Sequence, residues 1–283
     1  MLLLLAGAGR WIVSAAHPES DSTLASEALG CAWAALLSLT FFLRKPVPHS
    51  SLSRSSLARC MLAGAMLFGG PAVALLIRGR ELDFASLTIA LALTPIIIGV
   101  AAAALGTETS EGIAGRIWPG LAALAGLLLL LAQPSLGDAR SDLALILAPA
   151  LAGVGAALFC VDQPISAAPV TSALLGASAL FGLALAETHF VSGSRVSVSL
   201  LAVASDGVLA LLGVITLVQL GATRWASQFT WIPLLIVVEG LVLVRPPLTT
   251  HCVIGLLLLA VASVYLLLPT ANESSPDTAA IRG

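Results

Sequence analysis

The chain has little charge. Only 10% of its 283 residues are Asp, Glu, Lys or Arg, against about 25% in soluble domains. Apolar residues make up 58%, where soluble proteins have about 45–50%, and the mean hydropathy is +1.03. A soluble domain of this length could not cover its surface with so few charges. The composition therefore predicts an integral membrane protein whose main partner is the lipid bilayer.

The sequence also lacks a basic excess, paired cysteines and catalytic motifs. Its net charge of −2 provides no positive field for nucleic acid. The GxSxG, HExxH, Walker and GxGxxG patterns are missing, so we predict no catalytic residue, metal or cofactor and expect the chain not to be an enzyme. A disulfide scaffold or zinc ribbon is excluded because four widely spaced cysteines form no CxxC pair; they are Cys31, Cys60, Cys160 and Cys252.

Long apolar runs dominate what is present. A membrane-spanning helix needs about 20 mainly apolar residues, and strands would be shorter and alternating. The runs predict an all-α integral membrane fold with ten transmembrane helices, followed by a disordered polar tail at 270–283. They lie at 1–16, 24–43, 57–78, 84–105, 117–134, 142–161, 168–190, 197–219, 225–245 and 250–268.

The first run is short, and Arg10 interrupts it. A signal peptide is the competing interpretation, but no positive segment precedes Leu2–Leu5, which favours a transmembrane helix. A start codon placed too far downstream would also explain the shortness. Lys and Arg number seven in the inner segments and five in the outer loops if the N-terminus is inside. That bias predicts cytoplasmic N- and C-termini, and we expect a multi-pass protein of the bacterial inner membrane.

Two features recur in the same order in each half of the chain. Gly120 and Pro134 enclose one leucine-rich run, and Gly255 and Pro269 enclose another of the same length. The preceding runs each contain an internal proline, Pro95 or Pro233, which we expect to kink the helix. These repeats predict two five-helix units, at 1–134 and 142–269. A second unit of five helices must enter the membrane from the opposite side, which gives an inverted repeat.

The segment Asp83-FASLTIALALTPIIIGVAAAALGTE-Thr109, followed by Gly120-LAALAGLLLLL, resembles the fourth and fifth helices of EamA-type members of the drug/metabolite transporter superfamily. The second copy, Trp231-IPLLIVVEGLVLVRPPLT-Thr250, departs further, with Arg245-Pro246 where the family has an LGE-like end. The resemblance implies a ten-helix bundle that carries a small solute, and it leaves the solute open.

Ionisable groups inside apolar runs are the candidate site residues, because a charge at the bilayer centre costs about 2.5–3.5 kcal/mol on insertion scales. Asp206 lies near the middle of its run, on a stripe of small residues. It is either a functional carboxylate or a buried Asp bonded to a neighbouring helix. Glu239 follows the Pro233 kink on the face of Gln228, and Trp231 lies deep enough to line a cavity. Substrate recognition or proton coupling is therefore assigned to Asp206, Glu239, Gln228 and Trp231.

Arg10 and Glu27 lie toward the same end of adjacent runs. Antiparallel packing of those runs would allow an intramembrane ion pair, with a structural or gating role. Glu187, in the last turn of its run, fits an interface residue.

These features predict a secondary transporter of a metabolite, amino acid or drug-like amine, which works by alternating access around a central site. Three alternatives remain open: a lipid-linked-sugar flippase, a non-transporting partner subunit of the same fold and an integral-membrane enzyme. Protons are a candidate coupling ion, and the sequence does not specify the oligomeric state.

Overall fold

The computed structural model describes residues 20–42, 53–77, 92–106, 110–130, 139–161, 167–192, 196, 198–244 and 249–267. All regular secondary structure in these ranges is α-helical. A helix satisfies its backbone hydrogen bonds within one segment, so long apolar runs without alternation fold this way. The run at 1–16, which includes Arg10, and the predicted tail at 270–283 lie outside the described residues.

Nine helices are described, and each overlaps one of the apolar runs between 24 and 268. In chain order they are α1 (Ser20–Phe42), α2 (Arg54–Ile77), α3 (Thr94–Ala104), α4 (Ser110–Leu130), α5 (Ala139–Phe159), α6 (Ala167–Ser192), α7 (Leu200–Trp225), α8 (Gln228–Val244) and α9 (Thr250–Leu267).

Two stretches within these helices are long and apolar enough to cross a membrane. They are Ala168–Glu187 in α6 and Leu200–Ala222 in α7. The packing of α6 and α7 buries less than half of each stretch, so apolar side chains such as Leu183 and Leu201 lie on the surface. These two helices favour a membrane protein.

The helices pack in a regular pattern of neighbours. α1 packs against α6 and α7, and α2 packs against α5 and α6. α3 contacts α4, α5 and α7, while α9 contacts α4 and α8. Smaller contacts join α1 to α2 and α6 to α7. Helices far apart in the chain are therefore direct neighbours.

The relative direction of α1 and α6 follows from two polar contacts. Ser178 of α6 donates a 2.8 Å hydrogen bond to the carbonyl of Ala28 near the start of α1. Near the other end of α1, the hydroxyls of Ser38 and Thr171 are 2.8 Å apart. Since residue numbers rise along α1 while they fall along α6, these two helices run in opposite directions.

Glycines allow several helices to cross with their backbones in contact. A side chain at Gly64 would overlap the backbone of Ala173, and one at Gly176 would overlap the Met61 carbonyl, so α2 and α6 pack closely there. A Cβ at Gly126 would lie 2.7 Å from the Gly255 carbonyl oxygen, and the reverse distance is the same. In lipid the hydrophobic effect does not drive helices together. Association depends instead on close packing, which small residues at the crossing allow.

The helix α7 is interrupted near its end. Gly221 has φ 75° and ψ 163°, a backbone conformation that is essentially restricted to glycine. Beyond the break, the indole Nε1 of Trp225 donates a 3.0 Å hydrogen bond to the carbonyl of Gly213. The Trp225 ring also makes an edge contact with Phe229, at a centroid distance of 5.2 Å. These two contacts of Trp225 hold the chain beyond the break against Gly213 and Phe229.

Buried apolar side chains form two clusters within the described ranges. The larger, which we call cluster A, contains residues of α1, α2, α3, α5, α6 and α7, including Cys31, Cys60 and Ile98. The smaller, cluster B, consists of Ala92, Ala123, Leu127, Leu234, Leu259 and Ala262, with Trp231 packed against it. Since Ala92 precedes α3 and Ile98 lies within it, this part of the chain passes from cluster B to cluster A.

Candidate functional site

Asp206 is buried in the contact between α7 and α1. Its side chain is 3% exposed, and the Ser26 hydroxyl donates a 2.7 Å hydrogen bond to Oδ2. The Ser205 hydroxyl lies 3.3 Å from Oδ1. A Cβ added at Gly30 would lie 2.8 Å from the Cβ of Asp206, so the backbone of α1 approaches this residue closely. Asp206 is therefore bonded to a hydroxyl on a neighbouring helix.

The small residues on the helix face of Asp206 differ in how deeply they are buried. Ser199, at the start of the stripe, is exposed, Ala202 is half-buried and Ala210 is buried. Gly213 is half-buried, and a Cβ added there would meet no atom within 4 Å. The stripe thus faces packed protein near Asp206 and open space near Gly213.

Glu27 lies on the edge of the buried face of α1. It is half-buried, while Cys31, Ala34 and Ser38 on the same face are fully buried. The predicted partner Arg10 lies outside the described residues, so the Arg10–Glu27 pair stays a prediction. Glu187 is exposed on α6, at the end of its apolar stretch.

Trp231 and Gln228 lie in the first turn of α8. The Trp231 ring is half-buried, and its Nε1 donates a 3.2 Å hydrogen bond to the carbonyl of Ser263 in α9. Gln228 is the first residue of α8 and is half-buried. Thr230, between them, is fully buried and donates to the carbonyl of Ser227 at 2.8 Å. At this end of α8, polar side chains therefore lie beside the apolar side chains of cluster B.

The two prolines predicted to kink corresponding helices occupy different positions. Pro233 is inside α8 and is buried. Pro95 is in the first turn of α3, which begins at Thr94, where the missing N–H removes no bond within the helix. Residues 84–91 of that run lie outside the described residues. Glu239 belongs to α8, but its side chain is also outside them.

Two of the predicted site residues with described side chains bond to different helices. Asp206 bonds to α1, whereas Trp231 bonds to α9. The described hydrogen bonds of Asp206 and Trp231 therefore reach different helices.

Thr94 is a buried polar residue that the sequence did not single out. Its side chain is 0% exposed, and its Oγ1 has no hydrogen-bond partner among the described residues. It lies beside Pro95, between clusters A and B. The only sequence signal was a hydroxyl next to a proline inside an apolar run, which is too common a pattern to single out. Its burial without a partner comes from the packing around it.

Metal ligands are not clustered in the part of the chain that the structure describes. No group of three or more His, Cys, Asp or Glu residues there could hold a metal ion.

Comparison with known proteins gives the fold and no family. No protein-family model matches the sequence, and no curated protein matches it. A solved structure described only as "Crystal structure of protein" superposes with a TM-score of 0.67 at 18% sequence identity. The match covers 97% of this chain and 98% of that chain. At this identity the likeness shows that the two chains share a fold over nearly their whole lengths.

Proposed function

We propose that the protein is a secondary transporter of a small solute, built as ten transmembrane helices in two inverted five-helix halves. The residues that resemble EamA-type drug/metabolite transporters favour this function. So does an apolar composition that leaves little charge for a soluble surface. The proposed halves are 1–134 and 142–269.

The pattern of helix neighbours is the observation that carries the proposal. Equivalent helices of the two proposed halves are five apolar runs apart in the chain. The equivalent pairs are α1 and α6, α2 and α7, α3 and α8, and α4 and α9. The contact of α1 with α7 then becomes that of α6 with α2, and the contact of α3 with α4 becomes that of α8 with α9. The contact of α1 with α2 becomes that of α6 with α7. The pairs α1–α6 and α4–α9 map onto themselves, as they would across a two-fold axis.

The opposite directions of α1 and α6 support an inverted duplication. Five crossings separate equivalent helices, and an odd number of crossings reverses the direction of the chain. In transporters of this design, each half forms a gate on one side of the membrane around a site between them. The same set of contacts can then open toward either side.

The site in this proposal lies between clusters A and B, near the start of α8. Gln228 and Trp231 would line it, and Glu239 follows two turns further along α8. Asp206, in the α1–α7 contact, is assigned to proton coupling, since a buried carboxylate that changes its protonation can alter a helix contact. Pro95 and Pro233 would fix the geometry of corresponding helices.

We place the protein in a bacterial inner membrane with both termini in the cytoplasm. Reporter tags at both ends of the full chain test this placement. Tags on the same, cytoplasmic side are expected. Tags on opposite sides would require an odd number of crossings and would rule out two five-helix halves.

Flux through proteoliposomes tests the function. The full chain is reconstituted and assayed with the twenty amino acids and with tetraphenylphosphonium, with and without a pH gradient, and empty liposomes serve as the control. Saturable uptake that increases with the gradient is expected. Exchange of lipid between leaflets without solute uptake would favour the flippase alternative, and the absence of both would contradict transport.

A further inference from the structure

Thr94 is the buried hydroxyl without a partner. Burying a hydroxyl with no hydrogen bond costs about 1–3 kcal/mol, so such a group calls for an explanation. Thr94 lies at the start of α3, is 0% exposed and has no bond at Oγ1. Within a helix, Ser and Thr side chains can donate to a carbonyl three or four residues earlier, but Thr94 is the first residue of α3 and has no helical turn before it.

The other buried hydroxyls in the described ranges follow that rule or bond to another helix. Ser227, Thr230 and Ser263 donate to carbonyls of the preceding turn. Ser38 donates to the Ala35 carbonyl, and Ser26 donates to Asp206. Thr94 is thus the exception among six buried hydroxyls of this part of the chain.

Space is available beside α3. Gly99, five residues after Thr94, is buried, yet a Cβ added there would meet no atom within 4 Å. A buried glycine in a close-packed interior would normally touch a neighbour at that distance, as Gly120 and Gly153 do where they pack against Ile96 and Ile97 of α3. The space at Gly99 is therefore open, on a face of α3 that lies about 140° around the helix from Thr94 at 3.6 residues per turn.

Thr94 also lies where the two apolar clusters meet. Ala92, two residues earlier, belongs to cluster B together with Leu234 of α8. Ile98, one turn later, belongs to cluster A. The chain around Thr94 therefore connects the two clusters, each of which contains residues of both proposed halves.

We propose that the Thr94 hydroxyl is a hydrogen-bonding contact for the transported solute. The inference rests on the proposed transport function and adds a chemical class to it. A hydroxyl both donates and accepts, and the clusters to which Ala92 and Ile98 belong consist of apolar side chains. The solute class that fits is a small molecule with an apolar body and a group that forms a hydrogen bond.

The test compares T94V with T94S in the full chain, reconstituted in proteoliposomes. Valine keeps the shape of threonine and removes the hydroxyl, while serine keeps the hydroxyl. The probes are the twenty amino acids, which form hydrogen bonds, and tetraphenylphosphonium, which has no group that can. We expect T94V to raise the KM of the hydrogen-bonding probes about 2- to 12-fold. T94S should keep the wild-type KM, and KM for tetraphenylphosphonium should not change in either variant.

Thermal unfolding without solute provides a second readout. Because the hydroxyl has no protein partner, T94V should unfold at the same Tm as the wild type or above it. A lower Tm in T94V that is restored in T94S would reveal a partner within the protein or an enclosed water, and would overturn the inference.

The flux outcomes separate this inference from the proposed function. An unchanged KM in T94V for every hydrogen-bonding probe overturns the role of Thr94 and leaves transport standing. Wild-type uptake of tetraphenylphosphonium alone also overturns it, since that ion cannot engage a hydroxyl. If the wild type shows no saturable flux of any probe, the transport function fails, and this inference fails with it.

Discussion

Ser26 and Asp206 connect two helices that are 180 residues apart in the chain, through a 2.7 Å hydrogen bond from the hydroxyl to Oδ2. We expect S26A to destabilise the protein by about 1 kcal/mol, because a buried carboxylate loses a donor. Thermal unfolding in detergent measures the change. The matched control is S205A, since the exposed Ser205 hydroxyl also donates to the Ala202 carbonyl of its own helix. Equal losses in the two variants would contradict a specific α1–α7 contact.

The charge of Asp206 can be separated from its role as an acceptor. Asparagine retains an oxygen that accepts from Ser26 and cannot titrate, so D206N should fold with a Tm near that of the wild type. We expect the part of the uptake that depends on the pH gradient to be lost. Uptake that keeps its gradient dependence in D206N would remove the coupling role and leave Asp206 as a packing residue.

The crossing of α2 and α6 depends on the missing side chain of Gly176. Alanine there would place a methyl group against the Met61 carbonyl, so the helices must separate. We expect G176A to lower the Tm by several degrees, in line with overpacking penalties of about 1–3 kcal/mol. Gly182 on the same helix has open space at the Cβ position. G182A should therefore be neutral or stabilising, and a similar loss in both would argue against the crossing.

The break in α7 depends on the backbone of Gly221. Its φ of 75° with ψ of 163° disfavours any L-residue, and we expect G221A to cost about 1–3 kcal/mol. Gly213 on the same helix also has open space at its Cβ position and lies outside the break, so G213A is the matched control. Helical alanine is favoured over glycine by up to about 1 kcal/mol. Comparable stability of the two variants would contradict the observed geometry.

The existence of the helices could be predicted from hydropathy, and their ends could not. The run at 24–43 gives α1, but the helix begins at Ser20, and α4 begins at Ser110 where the run begins at 117. The ends of an apolar run show which residues can lie in lipid. A helix can extend beyond those ends into polar residues as long as its backbone hydrogen bonds are satisfied. The sequence repeat matched Gly120 with Gly255. In the structure, however, α4 and α9 cross with Gly126 against Gly255, so the repeat did not predict which glycines meet.

The candidate site was less predictable because it depends on contacts between distant segments. Periodicity placed Asp206 on a small, polar stripe, and both a functional role and a bond to a neighbouring helix were consistent with it. Only the packing of α1 against α7 supplies Ser26 as its partner. Thr94 could not be identified from its neighbours in the chain, since an unpaired hydroxyl is defined by what surrounds it in space.

The burial of Cys31 and Cys60 in cluster A simplifies labelling experiments. A water-soluble maleimide cannot reach either thiol in the folded protein, whereas Cys160 and Cys252 are partly accessible. Replacing only Cys160 and Cys252 should therefore provide a background that is silent toward the reagent. A single cysteine introduced at the edge of the α7 break or beside Gly99 would then report which aqueous compartment reaches that point in each state of the proposed transport cycle.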